Sequence, residues 1–519
     1  MRPICYPLAL LLSAATFAQV QPATTSNAFH LEPGTYSVGF RLIEGEDPSR
    51  VVTGGGTAAP RPRPVRTYLW YPVEPTRRGR TAEPMRFGRY VALADGDVWP
   101  AEMIGSLHEK LAYSRRPLAR SFDEAGFAAL SQRPVLAVEN AGPAPGPFPL
   151  VVLGVGFWYE PAISQAVLGE YLAGRGFVVT TAPLVGTNSP VVRIDTEDLE
   201  TQVRDLEFVV ARARELPFVS HDKLGVVGMD MGGMAGVLLA MRHRDVDVFV
   251  GLPSGILFEH PSGLPRISPG YNPLALRVPW LQIMPAGGAT PPPGSRSPSL
   301  FEAAVYSDRY LLLTPNLGHV DLTIDGLIDG RGSMIGGAYQ QATATGAEGH
   351  RALDPYVLNF LTAFLAPEAE RRAAGLAFVS RPPADPGFKM TLEHRPALPA
   401  SITYDEFVAG VVEGHGAEAV DRLRALAAAD PNDPLLGEGD LTRLISNLLF
   451  TWGLGRETLP VIEFMIERYP SSPAGQGLLA EAQISAGNYA AAIDVYSKFL
   501  EQYPNNPVAK TRLEWLRNR

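Results

Sequence analysis

The residues best placed to do chemistry lie in Leu224-Gly-Val-Val-Gly-Met-Asp-Met-Gly-Gly-Met-Ala-Gly236. An apolar strand pattern ends at Gly228 and a helical pattern opens at Gly232, which leaves Asp230 on the turn between them. Glycines at 228, 232 and 233 let strand and helix approach closely, the form Gly-x-nucleophile-x-Gly of a nucleophile elbow. Serine is the usual residue on such a turn, and no Gly-x-Ser-x-Gly occurs anywhere else in the chain. A carboxylate there changes the chemistry. It attacks an alkyl carbon with no proton to lose, and activated water then hydrolyses the ester so formed. The plainer alternative is that Asp230 caps the helix, Asp being a favoured N-cap residue.

An elbow of this kind needs a base and an oxyanion hole. Of the nine histidines, His319 in Leu313-Thr-Pro-Asn-Leu-Gly-His-Val-Asp-Leu-Thr323 follows a short strand pattern at Tyr310–Leu313, where the base is expected. The bland reading of His319 is a core histidine bonded to a neighbour. The backbone N–H of Met231 is the expected first oxyanion donor, and that of Phe157, after strand Leu150–Leu153, the second. Trp158 and Tyr159 beside it would suit a halide or an epoxide oxygen, although aromatics in such loops more often line a core or a lid. The orienting acid has no good candidate. After strand Val246–Leu252 the position is Pro253, and after Trp280–Met284 the chain reads Pro285-Ala-Gly-Gly-Ala-Thr-Pro-Pro-Pro-Gly294. Glu259 is remote, and Asp321 is too near His319 in sequence to rely on. The histidines show no metal-ligand spacing, so no metal is expected. The run GGGTAAPRPRP lacks the Gly-Lys-Ser/Thr of a phosphate loop, and no cofactor is implied.

The elements that must position these residues come in two blocks. Strand alternation over Tyr36–Phe40 and Arg66–Pro72, with a Gly/Pro stretch between, predicts a hairpin. Strands at Phe148–Leu153, Gly176–Thr181, Lys223–Gly228, Val246–Leu252, Trp280–Met284 and Tyr310–Leu313 alternate with helical patterns at Ile163–Ala173, Leu199–Leu216 and Gly232–Arg242. That alternation predicts a mostly parallel sheet with right-handed crossovers. The charged helix from Glu197 to Arg214 reads as a solvated face. Beyond about Ser401 the pattern is helical throughout. Tyr469-Pro-Ser-Ser-Pro473 and Tyr503-Pro-Asn-Asn-Pro507 repeat at 34 residues, as do Gly453 and Gly487, with Asp430-Pro-Asn-Asp-Pro434 as a displaced third copy. A 34-residue period with helix–turn–helix texture is the tetratricopeptide signature, against a generic helical hairpin.

Composition sets the outer limits. The 519 residues suit two or three domains, and 46% hydrophobic residues suit a sizeable core. A formal charge of −9 argues against nucleic acid as a partner. Residues 1–18 have the form of a cleavable signal peptide, with an apolar run from Leu8 to Leu12 that is too short to span a bilayer. The expected destination is secreted or periplasmic, without stable membrane insertion. Cys5, the one cysteine, leaves with that segment, and disulfides, Cys-ligated zinc and a thiolate nucleophile leave with it. The expected division is a signal at 1–18, an α/β-hydrolase-like domain with an N-terminal strand extension at 19–395, and a tetratricopeptide-like domain at 401–519.

Over nearly the whole mature chain the sequence resembles exported dienelactone-hydrolase-like or platelet-activating-factor-acetylhydrolase-like α/β-hydrolases with C-terminal tetratricopeptide repeats. The markers are Tyr36-Ser-Val-Gly-Phe40, Asp47-Pro-Ser-Arg50, Arg63-Pro-Val-Arg-Thr-Tyr-Leu-Trp-Tyr-Pro72, Tyr90-Val-Ala-Leu93, Glu170-Tyr-Leu-Ala-Gly-Arg-Gly-Phe-Val-Val179 and Gln202-Val-Arg-Asp-Leu-Glu-Phe208. The resemblance implies an α/β-hydrolase fold and hydrolysis of esters or lactones, with serine or cysteine at the elbow. Asp230 and Pro253 both depart from that pattern. Three readings stand open. Asp230 is a nucleophile for epoxide or haloalkane-type substrates; or the chain is a pseudoenzyme that binds a small molecule in the old pocket and a protein through its repeats; or the carboxylate holds a cationic ligand or a water.

Overall fold

The computed structural model describes residues 27–53, 59–75, 83–94, 96–97, 123–156, 161–189, 191–254, 264–285, 299–315, 323–324, 327, 346–384, 389–398, 404–413 and 416–519. Ten strands form one sheet: β1 (Ser37–Val52), β2 (Arg61–Val73), β3 (Ala137–Glu139), β4 (Phe148–Gly154), β5 (Val178–Thr181), β6 (Val219–Gly228), β7 (Val246–Gly251), β8 (Trp280–Pro285), β9 (Arg309–Thr314) and β10 (Thr391–Arg395). Their order is β10-β9-β8-β7-β6-β4-β5-β2-β1-β3. The block from β5 to β9 is parallel, as βαβ crossovers require, while β1 and β2 form the expected antiparallel hairpin and β2 joins β5 antiparallel. Strand β4, the second half of β6 (Leu224–Gly228) and most of β7 are apolar and buried because helices cover both faces there, while Ser220 to Lys223 open β6 with polar, more exposed residues.

The helices Ala166–Ala173 and Gly346–Leu365 share one hydrophobic cluster with the sheet. Thr196–Arg214 and Met231–Arg242 share the other, on the opposite face. This is the α/β-hydrolase architecture expected from the sequence. A separate apolar core serves the helices from Tyr404 onward. There, Gly455–Arg468 and Tyr489–Gln502 begin 34 residues apart, as do Pro473–Ser485 and Pro507–Arg517. Gly453 and Gly487 precede the first helix of each pair at φ 69° and 81°, left-handed values that favour glycine. Asp433 of this region stands beside the Tyr306 phenol of the sheet domain, and burial together with that carboxylate pushes the phenol's pKa up. Among the described residues, no helix is long and apolar enough to cross a membrane. The signal segment lies outside the described residues.

The charged helix Thr196–Arg214 departs from the solvated face expected of it. Asp205 is buried and takes a two-pronged contact from Arg63, Nε to Oδ1 at 2.9 Å and Nη2 to Oδ2 at 2.7 Å. Arg50 reaches the same carboxylate at 2.7 Å and is itself held by Asp47 at 2.6 Å. Arg63 also donates to the carbonyls of Val185 and Gly186. Asp198, equally buried, accepts from the backbone N–H of Thr187 and of Arg193. Charge periodicity on a helix cannot distinguish a solvated face from one that meets guanidinium groups on another element. Here the hairpin brings those groups across.

A second buried carboxylate fixes the N-terminal wrap of the domain. Glu170 Oε1 accepts from the Tyr90 hydroxyl at 2.8 Å, and Oε2 from the Leu136 N–H at 2.8 Å. Trp70 Nε1 donates to Tyr90 at 2.7 Å, completing a chain from β2 to the helix at Ala166. Burial pushes the Glu170 carboxyl up to about 7, against donors that favour its anion. A raised carboxyl stabilises the fold fully below its unfolded value of 4.5, and that contribution is lost as pH climbs to about 7. Urea melts at pH 5 and pH 8 are expected to show the wild type losing up to ~3 kcal/mol more than Glu170→Gln over that window. Equal losses in the two proteins would refute the assignment.

Candidate functional site

The turn between β6 and the helix Met231–Arg242 is built by contacts that only glycine permits. A Cβ on Gly232 would lie 2.2 Å from the Gly154 carbonyl carbon at the end of β4. Cβ atoms on Gly154 and Gly228 would each lie 2.4 Å from the Gly232 carbonyl oxygen. The helix therefore starts in backbone contact with two adjacent strands, and the residue before it has little conformational choice. Asp230 adopts φ 49° and ψ −118°, a positive-φ conformation that strains any L-residue. Its N–H donates to the Pro253 carbonyl at 2.9 Å, and its carbonyl accepts from Gly233 at 3.0 Å and Met234 at 3.2 Å. Met229, just before it, donates to the Gly154 carbonyl at 3.0 Å.

This geometry answers one of the alternatives. The helix begins at Met231, one residue before the expected Gly232, and the Asp230 side chain makes no capping hydrogen bond. The capping interpretation of Asp230 is thereby corrected: φ 49° turns Cβ away from the arrangement in which a cap oxygen meets the N2 or N3 amide. Asp230 is half-buried, at the C-terminal edge of the parallel strands. The Met231 and Gly232 amides belong to the first turn, where a helix supplies no acceptor of its own and its dipole favours negative charge.

Of the residues anticipated around Asp230, the structure brings Met231 and Pro253 against the elbow. Phe157, Trp158, Tyr159, Glu259, His319 and Asp321 lie outside the described residues. Ser254, after Pro253, is buried against the first helical turn, with its Cβ 2.8 Å from where a Gly233 Cβ would stand. His350 is a core histidine paired with Asp354 at 3.1 Å on the same helix. Among the described residues, no group of His, Cys, Asp and Glu could hold a metal.

Sequence reasoning missed three polar side chains around the elbow. Gln202 donates to the Val155 carbonyl at 3.3 Å, Gln165 donates to Met229 Sδ at 3.4 Å, and Asp97 accepts from the Ala162 N–H at 3.1 Å. Gln202 stood within one of the resemblance markers. Gln165 and Asp97 carried no local signal, since a neutral amide inside an apolar helix and an Asp in a Gly-Asp turn each look like ordinary surface.

No family model matches the chain, and neither does any curated protein. Among solved structures, a ferulic acid esterase from Streptomyces cinnamoneus aligns with a TM-score of 0.46 at 23% identity. The alignment covers 70% of this chain and 98% of that one.

Strain at Asp230 and close contact at Gly232 predict opposite responses. Asp230→Gly should raise stability by about 1 kcal/mol in urea titration, because glycine adopts positive φ freely. Gly232→Ala should cost more than ~3 kcal/mol or prevent folding, as a methyl group at 2.2 Å from backbone has nowhere to go. An Asp230→Gly variant less stable than the parent would show that the side chain, and not glycine-like backbone, governs the turn.

Proposed function

We propose that the chain is an exported hydrolase of the α/β-hydrolase type in which Asp230 is a carboxylate nucleophile. The observation that carries this reading is the strained Asp230 backbone on the elbow, with a side chain that does not cap the helix. In the first step an Asp230 oxygen attacks an electrophilic carbon. The carbon–oxygen bond of an epoxide, or the carbon–halogen bond of a haloalkane, breaks, and Asp230 becomes an alkyl ester. In the second step water loses a proton to His319 and adds to the ester carbonyl carbon of Asp230. The tetrahedral oxyanion faces the amide of Met231, with the Phe157 amide as its expected partner. Collapse expels an alkoxide, which takes the proton held on His319, and the Asp230 carboxyl loses its proton to solvent; the oxygen of an opened epoxide takes a proton from solvent, and a halide leaves as the free ion. Serine-type cleavage of esters or lactones, which the family resemblance implies, lacks its nucleophile.

The rival reading is a pseudoenzyme that binds a small molecule at the elbow and a protein through tetratricopeptide-like repeats. What favours it is the lack of a carboxylate at the expected acid positions, Pro253 and Pro285 to Gly294. The 34-residue spacing of the C-terminal helices supports the repeat assignment. No cofactor enters either reading.

Turnover of styrene oxide, 1-chlorobutane and p-nitrophenyl acetate separates the two. The nucleophile reading expects turnover of the epoxide or the haloalkane, reduced at least ~10³-fold in Asp230→Ala and in His319→Ala. Turnover in H₂¹⁸O should also place the heavy oxygen in the Asp230 peptide, because water attacks the carbonyl carbon of Asp230. Turnover without label would refute the covalent step. No turnover of any of the three by the parent would leave the binding protein as the better account.

A further inference from the structure

Residues 157–160 join the end of β4 to the turn Ala162–Gln165, and both stems of this connection are described. On the first, Gln202 Nε2 donates to the Val155 carbonyl at 3.3 Å from the helix Thr196–Arg214. On the second, Asp97 Oδ2 accepts the Ala162 N–H at 3.1 Å. The side chain of Asp97 is fully buried. Its other oxygen takes the Tyr68 hydroxyl at 2.7 Å and Arg66 Nη1 at 2.9 Å, both from β2. Arg66 Nη1 also donates to the Leu93 carbonyl at 2.7 Å, at the end of the helix Phe87–Ala94. At the far end of the turn, Gln165 reaches Met229 Sδ, next to Asp230. One short turn is therefore tied to Asp97 at its start and to the elbow at its end.

We propose that Asp97 is a positioning residue for the elbow site, holding the turn Ala162–Gln165 by its first N–H while Gln165 ties the other end of that turn to Met229, next to Asp230. The reason is stoichiometric. Three donors from β2 and from Ala162 converge on one side chain, and only an ionised carboxylate offers acceptors on both oxygens. Asparagine would turn an amide N–H toward a donor, and an apolar residue would take the shared acceptor from Tyr68 and Ala162 and leave Arg66 only the Leu93 carbonyl and Glu44. Gly96 adds to the fit, since a Cβ there would lie 2.5 Å from Arg66 Nη1. The geometry stands on its own, and its catalytic consequence rests on the nucleophile reading above.

The test is hydrogen exchange on the full chain, read peptide by peptide. Asp97→Asn should speed exchange across 155–165 about 10-fold or more, while β6 and β7 keep their protection. A second variant, Ala162→Pro, removes the donor itself and leaves Arg66, Tyr68 and Asp97 together; proline suits the first position of a helical turn. It should reproduce the local loosening. Tyr68→Phe, which spares the Asp97–Ala162 contact, should leave exchange over 155–165 near the parent rate. Uniform acceleration over the whole domain in Asp97→Asn and Ala162→Pro, or none, would overturn the proposal. If the parent turns over epoxide or haloalkane, Asp97→Asn should lower kcat by about 10- to 100-fold with KM little changed. Unchanged kcat would remove the catalytic part. An inactive parent would count against the nucleophile reading, and the exchange pattern would still decide the positional claim.

Discussion

Backbone contact between Gly154 and Gly232 is the constraint on which the elbow depends. With a Cβ at Gly232 placed 2.2 Å from the Gly154 carbonyl carbon, the helix Met231–Arg242 can start at the sheet edge only without side chains at the crossing. Once it starts there, the chain must reverse direction in the two residues after Gly228. The reversal forces Asp230 to a positive φ, locks its N–H onto Pro253 and sets the first turn of the helix at the C-terminal ends of the parallel strands. Asp230's position thus follows from close packing between β4, β6 and the helix.

Around that contact the fold uses buried charge as scaffolding. Asp205 gathers Arg63 and Arg50 from the N-terminal hairpin, and Asp97 gathers Arg66 and Tyr68 from the same hairpin. Both carboxylates face strand β2 or its partner β1, so the hairpin is bolted to the parallel sheet at two points. Charges taken from water cost free energy unless paired and bonded, and here each meets several partners. Hydrophobic pairs could hold the layers together, but they would not fix direction. A two-pronged Arg63–Asp205 contact does, because its planar fork accepts one geometry.

Much of this fold was legible in the sequence. Strand periodicity located the six parallel strands to within a few residues, but it stopped the first hairpin strand at Phe40 whereas β1 runs on to Val52, because the second half of that strand is charged and only partly buried. The elbow was legible from three glycines, and the helical repeat from its 34-residue spacing. The polar partners were not. Asp198 and Asp205 look like any acidic residues on a charged helix, yet Asp205 is buried against guanidinium groups about 150 residues earlier in the chain and Asp198 against backbone N–H groups of the loop before the helix. Asp97 sits in a turn whose sequence says only that the chain bends. Local pattern reports which face of an element is apolar, whereas pairing between distant polar residues is a property of the assembled sheet. The resemblance markers Asp47-Pro-Ser-Arg50, Arg63 and Gln202-Val-Arg-Asp205 acquire a physical meaning only there, as parts of one ionic cluster and one loop anchor.

Neither helix capping nor backbone conformation gives a reason for a carboxylate at position 230. A capping Asp contributes about 1 kcal/mol when its oxygen meets the N2 or N3 amide, and this one makes no such bond. Positive φ costs about 1–3 kcal/mol that glycine would avoid. The backbone strain is therefore not offset by a cap, and strain of that kind collects where function requires it. The chemistry also tolerates the departures seen here better than serine would. A serine needs a base in both half-reactions, to strip its own proton and then that of water, so losing the acid that orients the base harms both. A carboxylate at a helix N-terminus is already an anion, favoured by the dipole behind it. It needs a base only to activate water in the second half. If Asp230 is the nucleophile proposed above, a sequence without a recognisable acid at Pro253 carries the nucleophile type least dependent on that acid.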